Sequence, residues 1–311
     1  MTIRIFAIDM DGTCLNSRNR IDPETIVMLY RAKQAGIEIV PTTGRSLSCL
    51  PHQLLPLTDL YRYIISSNGA VITDTETGKD IYNALLDRTT ASSIIRKSMC
   101  AGLAAAAHID HRYYVQGLHL KLMGSFIYGK DARKSIVVKD LRNTIMRKTS
   151  DVEELQFFFL NQQARLRTGK ALLSFPYVYA PLDQKYVEIF SADAGKGRAF
   201  AFLQNMLSID RNESACIGDG ENDIHMFHHS GLKFAMGNCH PELKKRADIV
   251  VKDNSHGGVV QALHILLHLN NVTDDYQPPH GVFSCKSCDH SIQTDDPCKT
   301  CNIIGTAVCV F

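Results

Sequence analysis

With 311 residues the chain has room for about two domains, and its 45% hydrophobic, 21% charged composition is that of a soluble globular protein. A formal net charge of +2 argues against recruitment by charge to nucleic acid or to an acidic membrane. No basic-then-apolar start marks a signal peptide and no run of about 18 apolar residues marks a membrane span, so a cytoplasmic location is the default expectation.

In chain order, Ile3, Ile5, Phe6 and Ile8 predict a buried strand that runs into Asp9-Met10-Asp11-Gly12-Thr13. Asp9 and Asp11 then fall at its carboxyl end, where open α/β sheets bind ligands. Buried carboxylates are costly unless paired or metal-bound, so the two ask for a cation. Read alone, Asp-x-Asp-Gly also suits an ordinary turn or the start of a calcium loop. Asp22 and Pro23 open a helix carrying Ile26, Leu29, Tyr30 and Lys33, which Gly36 closes. Ile37–Val40 is the next strand, ending in Pro41-Thr42-Thr43-Gly44-Arg45, and Leu47, Leu50 and Leu54 suggest a helix after it. Tyr63–Ser66 is a third strand ending in Ser67-Asn68-Gly69-Ala70. Val71–Thr73 with a turn at Thr77-Gly78 suggests a hairpin. Alternating strands and helices with short connections imply right-handed crossovers and a parallel sheet whose strand ends gather at one edge.

From about Leu85 the pattern changes. A helix is expected over Arg88–Ala101, short strands at Tyr113–Val115, Leu118–Leu122 and Ser125–Tyr128, and a basic helix over 131–147 whose charge reads best as a solvated face. Leu155–Leu160 is a strong strand, Asn161–Leu172 a helix, and Ser174–Tyr179 and Lys185–Phe190 further strands. The first pattern then returns. Gly195-Lys196-Gly197-Arg198 precedes a helix with Phe200, Leu203 and Leu207. Ser214–Ile217 is a strand ending in Gly218-Asp219-Gly220-Glu221-Asn222-Asp223. A helix with Ile224, Met226 and Phe227, strands at Leu232–Met236 and Asp248–Val251, and a helix at Val259–Leu269 follow. The expected fold is α/β, a Rossmann-like parallel-sheet core with an inserted α+β cap domain. Its parts are residues 1–84 (core), 85–184 (cap), 185–272 (core) and 273–311 (linker and tail).

The ordered set Asp9-x-Asp11-Gly12-Thr13, Thr43-Gly44-Arg45, Lys196-Gly197 and Gly218-Asp219-Gly220-x-Asn222-Asp223 resembles the haloacid dehalogenase (HAD) superfamily of phosphatases, and specifically its Cof-like branch of subclass IIB, with a C2B-type cap. The resemblance covers about residues 1–270. Ser67-Asn68-Gly69-Ala70, Ala235-Met236-Gly237-Asn238, Ala247-Asp248 and His256-Gly257-Gly258-Val259 support it. It implies a Mg²⁺-dependent phosphatase acting on a small phosphorylated metabolite through an aspartyl-phosphate. Asp9 is then nucleophile and metal ligand, and Asp11 is acid/base with its carbonyl on the metal. Asp219 is a metal ligand, Thr43, Gly44, Lys196 and Asn222 bind phosphate, and Asp223 orients Lys196 or a water. Two rivals are a phosphomannomutase-like phosphotransferase and a catalytically weak sensor that binds phosphorylated metabolites and docks on a partner through its cysteine-rich tail. The intact Asp9/Asp11 pair argues against the sensor, since binding alone needs no acid/base.

Several residues carry a plainer reading beside the functional one. Asn68 is either a turn stabiliser or a site residue. Arg45 reads as a structural ion pair before a substrate contact. His225, His228 and His229 read as helical surface before a metal cluster, and Cys14 as a small apolar replacement before a second nucleophile. Of the 10 cysteines, five crowd into the tail. There Cys285-Lys286-Ser287-Cys288 and Cys298-Lys299-Thr300-Cys301 stand nine residues apart and resemble the knuckles of a zinc ribbon, a closed structural Zn²⁺ site. Redox pairing or a disordered thiol tail are the alternatives.

Overall fold

The computed structural model describes residues 2–118, 120–122 and 130–272, and the backbone of 284–285 and 290–291; of residues 132 and 133 it gives the backbone alone. The described residues fold as two compact units, one holding those up to Ile39, Ile209–Glu221 and those from Ser230 to Val272, the other those within Val40–Ser208 and Asn222–His229. The strand Glu38–Thr42 begins in the first unit and ends in the second.

In the first unit the strands follow one another in the order Ile249–Val250, Leu232–Ala235, Ser214–Gly218 and Ile5–Asp9, paired in parallel throughout. Every residue of Ile5–Asp9 is buried. That suits a parallel strand covered on both faces and explains its nearly continuous apolar run. Phe6 meets Phe234 edge to face, with ring centroids 6.2 Å apart. The helices Pro23–Gln34 and Gly258–Leu269 pack on each other, and each buries an apolar face. Pro23 stands at the first helical position, as its fixed φ favours.

The second unit holds two sheets. One carries the end of Glu38–Thr42 beside Tyr63–Ser66 in parallel, then Val71–Asp74 and Lys79–Asn83 in antiparallel succession. The other runs in the order Val178–Tyr179, Tyr186–Ser191, Glu154–Phe159, Leu103–Ile109, Arg112–Gln116 and Ile136–Val138. It is antiparallel except for its last pair. The helices Arg88–Ser98, Leu141–Arg147 and Gln162–Leu172 cover one face, burying Ile94, Ile95, Leu141, Ile145 and Ala164 against Ala105, Ala107, Leu155 and Phe157. Their first turns are held by side-chain caps: Asp87 accepts from Thr90 N–H, Asp140 from Asn143 N–H and Asn161 from Ala164 N–H. This sheet runs to Ser191, past the boundary expected at residue 184.

Some expected elements differ. Leu103–Ile109 is a central strand where none was expected, and its alanines explain why, since alanine signals helix rather than strand. The helix expected from Leu47 stops after a short turn, Leu47–Cys49, ahead of Pro51, which disfavours helix in the residue before it. Residues 118 and 120–122 are helical rather than extended. Leu120 is buried while Leu118 and Leu122 are exposed, so the alternating leucines are not one face of a strand. The basic stretch 131–147 is a short turn, the strand Ile136–Val138 and the helix Leu141–Arg147; its β-branched Ile136, Val137 and Val138 break the helix. Ser174–Tyr179 is extended only at Val178–Tyr179. The expected strand Ser125–Tyr128 lies outside the described residues. Among the described residues no helix is long and apolar enough to cross a membrane.

Candidate active site

In the first unit, Ile5–Asp9 and Ser214–Gly218 lie side by side in register, Ile8 opposite Ile217. Their carboxyl ends therefore deliver Asp9 and Asp219 to one place, each with a carboxylate oxygen within 4.8 Å of the other. Asp9 is 4% exposed and Asp11 half-buried. Gly12 turns the chain at φ 78°, and a Cβ there would stand 2.3 Å from Asp219 Oδ2, so only glycine lets the loop pass this close. Asp219 is oriented from several sides. Thr13 Oγ1 donates to its Oδ1 at 2.9 Å and Asn238 Nδ2 reaches its Oδ2 at 3.5 Å. His240 N–H donates to its backbone carbonyl at 2.8 Å. Asn238 Nδ2 also donates to Gly12 O at 2.8 Å, and its own Oδ1 accepts from Asn254 N–H at 3.1 Å. Two carboxylate oxygens this close repel each other unless a proton or a cation lies between them, and an all-oxygen set suits a hard divalent ion.

Cys14 is buried at the end of this loop. Burial first, then the charges of Asp9 and Asp22, push its thiol up to about 12. A thiol held protonated is a poor nucleophile, which fits the reading of Cys14 as a small apolar residue.

In the second unit, Thr43 is buried past the end of Glu38–Thr42. Its N–H donates to Ile65 O at 2.9 Å, its Oγ1 accepts from Arg45 N–H at 3.0 Å, and its carbonyl accepts from Asn68 N–H at 3.1 Å. Gly44 lies against Asn68, whose amide atoms would be 3.1 Å from a Cβ there. Lys196 opens the helix Lys196–Met206, and its Nζ meets Asp223 Oδ1 at 2.7 Å, both side chains 1% exposed. Asn222 Nδ2 donates to Asn68 Oδ1 at 3.0 Å. A cavity of about 340 Å³ is bordered by Asn68, Lys196, Asn222, Tyr179, Phe190 and His225, among others.

Arg45 forms the ion pair expected of it. Its Nη1 meets Asp131 Oδ2 at 2.7 Å, the two side chains 9% and 3% exposed, and Asp131 Oδ1 also accepts from His52 N–H at 3.0 Å. Among the described residues His225, His228 and His229 make no group that could hold a metal ion. His225 and His228 are exposed, as a helical surface requires. Of the expected zinc ligands, Cys288, Cys298 and Cys301 lie outside the described residues, and of Cys285 only the backbone is described, in a strand pairing with His290–Ser291.

Sequence reasoning assigned no role to Thr13, Asn238, Glu154 or Glu188, which orient the site residues. Thr13 and Asn238 lie within stretches already singled out. Glu154 and Glu188 carry no local signal, since their partner Asn68 is 86 and 120 residues away.

Comparison with known proteins bears on both units. The family model described as haloacid dehalogenase-like hydrolase matches residues 6–263. The chain is similar to phosphatase YwpJ of Bacillus subtilis, 27% identical over 303 residues, 86% of this chain and 100% of that protein. It is also similar to a phosphoglycolate phosphatase of Archaeoglobus fulgidus, 28% identical over 263 residues, 85% of this chain and 96% of that one. Among solved structures it shares the fold of the HAD subclass IIB sugar phosphatase BT4131, with a TM-score of 0.70 and 21% identity over 85% of this chain and 98% of the other.

Proposed function

Because the chain belongs to the haloacid dehalogenase-like hydrolases, we propose that it is a Mg²⁺-dependent phosphatase that hydrolyses small phosphorylated metabolites through an aspartyl-phosphate on Asp9. The observation that carries this reading is Asp9 at the end of its strand with the Asp219 carboxylate held within 4.8 Å. Asp9, the backbone carbonyl of Asp11, and Asp219 would hold the Mg²⁺. The bound ion offsets phosphate charge so that an anionic nucleophile can approach.

In the first half-reaction an Asp9 carboxylate oxygen bonds to phosphorus and the ester P–O bond breaks. Asp11 gives its proton to the departing alkoxide. In the second, Asp11 takes a proton from water as the water oxygen attacks phosphorus. The bond to Asp9 then breaks, and phosphate leaves with Asp9 restored. Thr43, the Gly44 N–H, Lys196 and Asn222 bind phosphoryl oxygens, and Asp223 fixes Lys196, in keeping with their 2.7 Å contact. Residues 85–184 are the proposed cap, which supplies the residues that choose the leaving group.

The test is phosphate release from a panel of phosphorylated metabolites, including phosphoglycolate and sugar phosphates, with and without Mg²⁺. Release that depends on Mg²⁺ and vanishes in Asp9→Asn is expected. No release by the wild type, or full release by Asp9→Asn, overturns the reading.

A further inference from the structure

Asn68 stands at φ 53° in the turn Ser67–Gly69, where its short amide makes a left-handed backbone tolerable. Both faces of that amide are used. Its Nδ2 donates to Glu154 Oε2 at 2.9 Å and to Glu188 Oε2 at 3.0 Å. Its Oδ1 accepts from Asn222 Nδ2 at 3.0 Å. Turning the amide over would set its oxygen against two carboxyl groups and its N–H₂ against the N–H₂ of Asn222. The order donor-to-glutamates, acceptor-from-asparagine is therefore dictated by the partners.

The glutamates are themselves held. Glu154 is fully buried, and its Oε1 accepts from Gln156 Nε2 at 2.7 Å. Gln156 Oε1 in turn accepts from Tyr113 O–H at 2.8 Å, which fixes the direction of that amide too. Burial, and after it the charge of Glu188, push the Glu154 carboxyl well above the usual carboxylate range. One proton held by the pair avoids two anions crowding a single amide.

Asn222 borders the cavity of about 340 Å³ together with Asn68 and Lys196, whereas Glu154 and Glu188 are not among the cavity residues. We propose that Glu154 and Glu188, acting through Asn68, are positioning residues for Asn222: they lock the Asn68 carbonyl toward the Asn222 amide, which leaves the second Asn222 N–H to be aimed at a phosphoryl oxygen. The inference rests on the reading of Asn222 as a phosphate-binding residue. It adds that two carboxylates on separate strands govern phosphate affinity without touching phosphate.

The test is a double-mutant cycle on the full chain, with p-nitrophenyl phosphate as substrate and inorganic phosphate as competing ligand. Asn68→Gly removes the amide without straining a φ of 53°. It is expected to raise both KM and the phosphate inhibition constant about tenfold, the scale of one hydrogen bond to a charged group. Asn222→Ala should do the same, and the double variant should go no further, because the two act as one unit. Glu154→Gln with Glu188→Gln offers Asn68 N–H groups as well as oxygens, so its amide can reverse. That pair should raise KM severalfold in the wild-type background and leave it unchanged beside Asn222→Ala. Coupled losses of this kind lie outside a purely structural role, which would lower the unfolding midpoint and leave phosphate affinity intact. An unchanged phosphate constant in Asn68→Gly, or losses that multiply in the double variant, overturns the inference. A wild type that releases no phosphate overturns the functional reading instead.

Discussion

Replacing Gly12 by alanine separates the geometry of the first loop from its stability. The new Cβ would lie 2.3 Å from Asp219 Oδ2, where ordinary contact begins at 3.4 Å, so the carboxylate must retreat by about 1 Å. Thr13 and Asn238, which hydrogen-bond that carboxylate, must follow it or lose it. A shift of about 1 Å in a positioned group costs about 100-fold in rate, or about 3 kcal/mol in the barrier. The φ of 78° adds a backbone penalty of about 1–2 kcal/mol for any L side chain. Gly36→Ala supplies the control, since Gly36 has φ +82° and nothing within 4 Å of the added Cβ. Both variants should lose about the same stability in urea unfolding, read as a lower midpoint at unchanged slope. Only Gly12→Ala should lose phosphate release, measured as kcat and KM on the best substrate of the panel. A Gly12→Ala enzyme that keeps more than about half its kcat/KM while unfolding like Gly36→Ala would refute the claim that the placement of Asp219 limits the chemistry.

The remaining predictions concern buried charge and metal. Lys196→Met leaves Asp223 buried without its 2.7 Å partner and should cost about 3–5 kcal/mol of stability. Adding Asp223→Leu should recover part of that, read from urea midpoints. His108 is 3% exposed, and burial lowers its pKa from 6.5 to about 3. The depressed value means that its contribution is fully present above pH 6.5 and is lost as pH falls toward 3, at about 1.4 kcal/mol per pH unit. Glu153 and Glu154, raised by burial, work in the opposite sense and lose stability as pH rises. The comparison is therefore wild type against His108→Gln between pH 7 and 5, and equal slopes would contradict the assignment. A zinc ribbon in the tail predicts about one zinc per chain, lost on deletion of residues 281–311; a zinc-free full chain ends that proposal.

The strands that position Asp9 and Asp219 were legible because burial on both faces leaves only apolar and β-branched residues, as in Ile5–Asp9. Leu103–Ile109 was not legible, because each of its faces packs closely with small residues. Ala105 and Ala107 lie under the helices, while Ala104 and Ala106 meet Val115 and Leu120. Tertiary packing overrides alanine's helical preference there. At the candidate site, the charged residues that the fold brings together, Asp9 with Asp219 and Lys196 with Asp223, were legible as short ordered motifs. Their supports were not, since Thr13 meets Asp219 across 206 residues and Asn238 meets Gly12 across 226. A hydrogen bond between distant segments leaves no periodicity in one sequence.

The turn Ser67-Asn68-Gly69 gathers these threads within the second unit. All three residues have positive φ, at 48°, 53° and 85°, an arrangement that Ser67 in particular adopts at some cost. Each residue is held in it by a different contact. Ser67 Oγ donates to Glu153 Oε2 at 2.5 Å and lies 3.0 Å from His108 Nδ1, which must supply the proton between them. Asn68 is clamped between the glutamates and Asn222. Gly69 lets the backbone of Gly195 approach, since a Cβ there would stand 2.3 Å from the Gly195 carbonyl carbon. That close approach sets the start of the helix that carries Lys196. One turn thus places Asn222 through a side chain and Lys196 through the backbone. The residue types follow from those separate duties: a hydroxyl that can both donate and accept, an amide with two distinct ends, and no side chain where the helix begins.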